Sequence, residues 1–168
     1  ALFNQLAILI ERTEFERNFM SRHPQTAEAT RAQIVSAALQ SLARRLGDEQ
    51  GRKALIFVSE GFRPAQPRAI VYAANRNGVA VYALDPHPEA GDGESMLSSI
   101  AEQTGGAASI NGTDLRPAVA QAVSDLDHYF VLSFPPSGPA DGRFHPVQVR
   151  VKRKGVEARA RSGYWAPD

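Results

Sequence analysis

The spacing of apolar positions divides the chain into parts with different periods. From Thr26 onward, Ala29, Ile34, Val35, Ala38, Leu39, Leu42 and Leu46 recur at intervals of three and four. That spacing predicts an amphipathic helix with Thr26 as its N-cap and Gly47 as its stop. Arg44 and Arg45 fall in its last turn, where cations complement the helix dipole. Leu2, Leu6, Leu9 and Ile10 have similar spacing, and Phe15 and Phe19 follow in a polar stretch. Residues 1–22 therefore also read as an amphipathic helix.

The period changes at Ala54-Leu55-Ile56-Phe57-Val58, a continuous apolar run between Lys53 and Ser59-Glu60-Gly61. Such a run predicts a strand buried on both faces, as in a parallel sheet. Residues 67–77 read as a helix stopped by Asn77-Gly78, and Val79–Leu84 as a second buried strand ending at Asp85-Pro86. A loop rich in Gly, Pro and acid spans 85–94, followed by a helix from about Glu94 to Thr104. Gly105-Gly106 leads to a short strand near Ala107–Ile110, and Thr113 or Asp114 opens a helix reaching about Asp127. Strand–helix alternation of this kind is the mark of βαβ crossovers.

The last forty residues follow period two. Tyr129–Phe134 reads as a strand stopped by Pro135-Pro136. Val147, Val149 and Val151 alternate with Gln148, Arg150 and Lys152; after a turn at Lys154-Gly155, Val156, Ala158 and Ala160 alternate with Glu157, Arg159 and Arg161. This predicts an antiparallel hairpin with one buried and one solvated face.

The expected fold is α/β: a Rossmann-like, doubly wound, mostly parallel sheet with an antiparallel C-terminal hairpin extension. At 168 residues the chain suits one domain. Its parts are a helical N-terminal section (1–50), a βαβ core (51–127) and the antiparallel extension (128–168). With 43% hydrophobic and 22% charged residues, disorder and fibrous classes are excluded. No apolar run is long enough to span a bilayer, and the first residues lack the basic and small-residue marks of a signal peptide. The absence of Cys removes disulfides, thiolate catalysis and Cys-based zinc sites. A net charge of +1 gives no global attraction to nucleic acid or membrane.

The run Gly51-Arg52-Lys53-Ala54-Leu55-Ile56-Phe57-Val58-Ser59-Glu60-Gly61-Phe62 resembles the fourth-strand motif of von Willebrand factor A-type domains, and more narrowly their acidobacterial-type branch. Further landmarks agree in order: Ala74-Asn75 before Gly78-Val79, Tyr82-Ala83-Leu84-Asp85, Ala101-Glu102-Gln103-Thr104-Gly105-Gly106, and Tyr129-Phe130-Val131-Leu132. Asp141-Gly142-Arg143-Phe144 and Ala160-Arg161-Ser162-Gly163-Tyr164-Trp165 complete the set, which covers 51–166. The resemblance implies an exported protein-binding domain whose sheet edge often holds a divalent cation. Three elements make that site in the family: Asp-x-Ser-x-Ser after the first strand, a Thr in a second loop, and an Asp after the fourth strand. Here the first motif is absent, Thr26 and Thr30 are the available threonines, and Glu60 takes the place of the Asp. On this alignment the expectation is that the chain begins inside the domain, after its first strands, or that this member has lost them.

Independently of the family, open α/β sheets bind ligands beyond the carboxyl ends of their strands. Glu60 and Asp85 fall there and are the candidate ligands of Mg²⁺ or another divalent cation, a hard ion needing oxygen donors. The alternative is that both are solvated caps. Ser59, Phe62, Arg63, Asp92 and Glu94 are the candidate partner contacts on the same edge, with Phe62 either an anchor or folded back on the first helix. Arg150, Lys152, Arg159 and Arg161 share one face of the predicted hairpin and form a candidate basic stripe, or a solvated face that guards a strand edge. Tyr164-Trp165 is expected to dock against the sheet.

Catalytic motifs are missing. His23, His87, His128 and His145 have no metal-ligand spacing, and Ser59-Glu60-Gly61 lacks the first Gly of a nucleophile elbow. Asp85-Pro86-His87-Pro88 offers an Asp/His pair, but its prolines hold the stretch extended and no nucleophile accompanies it. Gly105-Gly106 and Gly91-Asp92-Gly93 fit neither a phosphate loop nor a dinucleotide fingerprint. The expected function is a non-catalytic protein-binding module. The runner-up is an assembly domain that pairs through a bare flank of the Ala54–Val58 strand, as a homodimer for instance, and a hydrolase is third. No nucleic-acid partner is expected, since no aromatic residues interleave with the basic ones.

Overall fold

The computed structural model describes residues 24–87, 94–110, 112, 114–135, 138–156 and 158–166, and the main chain alone for 5–10 and 24–26. Its elements in chain order are β1 (Gln5–Ile10), α1 (Pro24–Gly47), β2 (Lys53–Val58), α2 (Pro67–Arg76) and β3 (Val79–Leu84). Then come α3 (Glu94–Thr104), β4 (Ala108–Ser109), α4 (Arg116–Asp127), β5 (Phe144–Pro146) and β6 (Gly163–Trp165). The first four strands form one parallel sheet in the order β1-β2-β3-β4, and β5 pairs antiparallel with β6. This is the α/β, Rossmann-like plan with an antiparallel C-terminal pair.

Alternation along β2 and β3 builds the two cores. Leu55, Phe57, Val79, Val81 and Ala83 point to one face, where Val35, Leu39 and Ala43 of α1, Ile70 and Val71 of α2, and Leu97 and Ile100 of α3 cover them. Ala54, Ile56, Ala80, Tyr82 and Leu84 point to the other, under Ala122 and Leu126 of α4. Strands buried on both faces must be apolar throughout, which is why both read as continuous runs. Gly106 lets α3 hand over to β4 against the sheet: a Cβ there would lie 1.9 Å from the Val81 carbonyl oxygen.

Four expectations need correction. Residues 5–10 form β1, not a helix, and pair with β2 in register from Gln5↔Lys53 to Ile10↔Val58. The run Leu6-Ala7-Ile8-Leu9-Ile10 is apolar at every position, so helical and buried-strand periods both fit it, and pairing with β2 decides. The Ala54–Val58 strand consequently has no bare flank, and a strand does precede it on that side. Residues 11–22 lie outside the described residues. Second, α1 starts at Pro24, two residues before the expected cap, so Thr26 lies inside its first turn.

Third, Tyr129–Phe134 is not a strand, and from Phe130 onward its side chains are exposed: Phe130 is 95% and Leu132 71% accessible. Fourth, the C-terminal ladder is confined to its outer end. Phe144↔Trp165 and Pro146↔Gly163 pair, Val147 N–H donates to the Ser162 carbonyl at 2.9 Å, and the strands then part. The turn at Lys154-Gly155 forms, with Gly155 at φ 74°, but Val149, Val151 and Val156 are exposed and bury no face. A period-two pattern makes a strand only where a neighbour supplies hydrogen bonds and a surface to cover.

Candidate functional site

At the carboxyl edge, main-chain hydrogen bonds continue the sheet past the strand ends. Ser59 N–H donates to the Leu84 carbonyl at 3.0 Å, and Asp85 N–H to the Ser109 carbonyl at 2.8 Å. Beyond Ser59 the chain reverses. Gly61 adopts φ 95°, a conformation costly for any residue with a Cβ, and its N–H donates to Ser59 Oγ at 3.1 Å. Arg31 of α1 anchors the turn by donating to the Gly61 carbonyl at 3.1 Å. The reversal sends Phe62 back into the core, 1% exposed, edge-on to Phe57 with centroids 5.6 Å apart. Phe62 is therefore a core residue, and the expectation of a surface anchor is withdrawn. Ser59 is buried as well, whereas Arg63 is exposed.

Glu60 and Asp85 do come together, through His87. His87 Nε2 lies 2.6 Å from Glu60 Oε1, and Nδ1 lies 3.4 Å from Asp85 Oδ1. The His87 backbone N–H also donates to Asp85 Oδ1 at 2.9 Å, an Asx turn closed over Pro86. Asp85 itself is 1% exposed, so its carboxylate depends on these donors. The ring of His87 thus lies between the two carboxylates, with each of its nitrogens facing one of them. The proline-rich stretch does not keep Asp85 and His87 apart; Asp-x-His spacing was the available signal, and the bridge to Glu60 across the sheet was not. Among the described residues no group of three or more His, Asp or Glu is arranged to hold a metal ion. One oxygen of each carboxylate, Glu60 Oε1 and Asp85 Oδ1, faces the His87 ring, so a cation bound through those two atoms would have to displace it. Glu94 opens α3, where its charge suits the helix N-terminus. Asp92 lies outside the described residues.

The basic residues of the C-terminal arm do not share a stripe. Arg159 Nη2 reaches Asp125 at 2.8 Å, and Arg161 Nη1 donates to the Asn75 carbonyl at 3.1 Å, so both pin the arm to the domain. Arg150 donates to Gln148 Oε1 at 2.9 Å, while Lys152 is exposed. The separated strands remove the common face on which the four would have lined up.

Asp125 of α4 is the centre of this attachment. Besides Arg159 it accepts from Tyr82 Oη of β3 at 2.6 Å and from Gln121 Nε2 at 2.7 Å. Burial, with the Asp125 carboxylate beside it, pushes the Tyr82 phenol up to about 12, partly offset by Arg52. Tyr82 therefore stays a donor across the physiological range.

Trp165 docks on α2, not the sheet: Phe144 packs against it at 5.5 Å and the Arg68 guanidinium lies 5.8 Å from its ring centre. Tyr164 stacks on His145 at 5.3 Å. Between α1, α2 and β6 lies an open groove of about 590 Å³, lined among others by Gln40, Arg44, Arg68, Tyr72 and Trp165. Sequence reasoning missed it, because it joins residues more than a hundred positions apart. Comparison with family models, with curated proteins and with solved structures gives no match for this chain.

Proposed function

We propose that the chain is a non-catalytic protein-binding module on the plan of von Willebrand factor A-type domains, acting outside the cytoplasm. The observation that carries the binding role is the run from Phe130 to Phe134. Phe130, Val131, Leu132 and Phe134 are all exposed, Phe130 at 95%. Water-soluble domains seldom leave so many large apolar side chains together in solvent, and such patches mark contact surfaces. The segment carries β-forming residues and no ladder partner among the described residues, a combination suited to pairing with a strand of another protein. Export and the kinship of plan rest on the sequence resemblance. The non-catalytic part of this reading rests on the lack of a recognisable catalytic motif in the sequence.

The same run favours a second reading, self-association of two copies through Tyr129–Phe134. A photo-crosslinking residue at position 130, with a control at exposed Arg153, tests both in cells that make the protein. One recurrent foreign protein trapped from 130 alone supports the module, and a crosslinked dimer supports the second reading. Equal background at both positions overturns both.

A further inference from the structure

The groove between α1, α2 and β6 has a chemistry of its own. On α2, Arg68, Tyr72 and Arg76 recur at intervals of four, so they stack along one stripe of the helix. Arg76 Nη1 donates to Tyr72 Oη at 3.4 Å, which ties the third residue to the groove wall. Gln40 and Arg44, also four apart, line the facing side from α1, and Trp165 lines the groove beside Arg68. Among the described residues no acidic side chain lines this groove, and α2 has none in its sequence. Arg44 and Arg68 have no carboxylate partner among the described residues. Arg68 moreover sits in the first turn of α2, where the helix dipole opposes a cation. Like charges gathered without counter-charge raise the local potential and draw anions.

We propose that this groove binds an acidic protein segment, with carboxylates on the arginines and an apolar residue against Trp165 and Tyr72. The spread of the cations selects this ligand. Arg68 and Arg76 are eight residues apart, about 12 Å along a helix, which an extended peptide of about four residues spans. A single phosphate would need the guanidinium groups gathered on one point. Arginine forks hold carboxylates in bidentate pairs, and flanking aromatic faces take apolar side chains. The site is separate from the Phe130–Phe134 run and does not depend on the function proposed for it.

Trp165 is the only tryptophan of the chain, so its fluorescence reports this groove alone. The probes are acetylated, amidated pentapeptides, Glu-Glu-Leu-Glu-Glu and its Gln-Gln-Leu-Gln-Gln counterpart, titrated at low ionic strength. The acidic peptide is expected to give a saturating change, weakened at least tenfold by the double substitution Arg44→Gln, Arg68→Gln and similarly by raised salt. Far-UV circular dichroism checks that the variant folds, and the double substitution Arg153→Gln, Lys154→Gln, at two exposed positions away from the groove, serves as a charge-matched control that binds normally. Equal response to the Gln peptide, or unchanged affinity in the double variant, overturns the proposal. So does competition by inorganic phosphate, oligo-dT or phosphatidylserine vesicles at concentrations below those of the acidic peptide, which would assign the groove to another anion.

Discussion

Replacing Tyr82 by Phe removes one oxygen from the face of the sheet beneath α4 and leaves the ring in place. The lost bond is the 2.6 Å contact to Asp125. Hydrogen bonds to charged groups contribute about 1.5–3 kcal/mol. Asp125 keeps Gln121 and Arg159, so it is not left unpaired, and a cost of about 2 kcal/mol is expected. For a domain of this length that lowers Tm by about 4–8 °C. The pH dependence is the sharper test. The folded state holds the phenolic proton more tightly than the unfolded chain, with the pKa raised from 10.0 to about 12. Its contribution is therefore complete below pH 10 and is lost as pH rises toward 12, by about 2 kcal/mol at pH 11.5. Urea unfolding of both proteins at pH 8, 9, 10, 11 and 11.5 isolates this residue from the other tyrosines and the lysines. The native chain should lose stability over that range relative to Tyr82→Phe, closing the gap between them. If the two fall in parallel, the proton is not held by this contact and the reasoning fails.

Phe62→Ala is expected to cost about 3–5 kcal/mol in urea unfolding, the price of a cavity beside Phe57; a loss under about 1 kcal/mol would return Phe62 to the surface. Millimolar Mg²⁺, Mn²⁺ or Ca²⁺ should leave the melting temperature unchanged, because among the described residues no group of three or more His, Asp or Glu is arranged to hold a cation. A cation at about 100 times its Kd would add about 2.7 kcal/mol, so a rise of several degrees that disappears in Glu60→Ala would establish a cation site and contradict this account.

Local pattern was enough wherever an element's environment is uniform along its length. β2 and β3 are buried on both faces, so their composition alone announces them; α1 and α2 each bury one stripe, so their spacing does. The placement of Glu60 and Asp85 at adjacent strand ends followed from the same periods. Where two structures satisfy one pattern, only tertiary contact chose. Leu6–Ile10 is a strand because β2 offers a parallel edge, while the equally strand-like Tyr129–Phe134 and, beyond Val147, Gln148–Val151 have no ladder partner among the described residues. The site depended on tertiary structure still more. His87 reaches Glu60 because β2 and β3 end side by side, Phe62 is buried because Gly61 reverses the chain, and Arg159 meets Asp125 because the C-terminal arm lies beside α4. Each of these couples residues remote in sequence, and a one-dimensional period carries no record of which remote residues will meet.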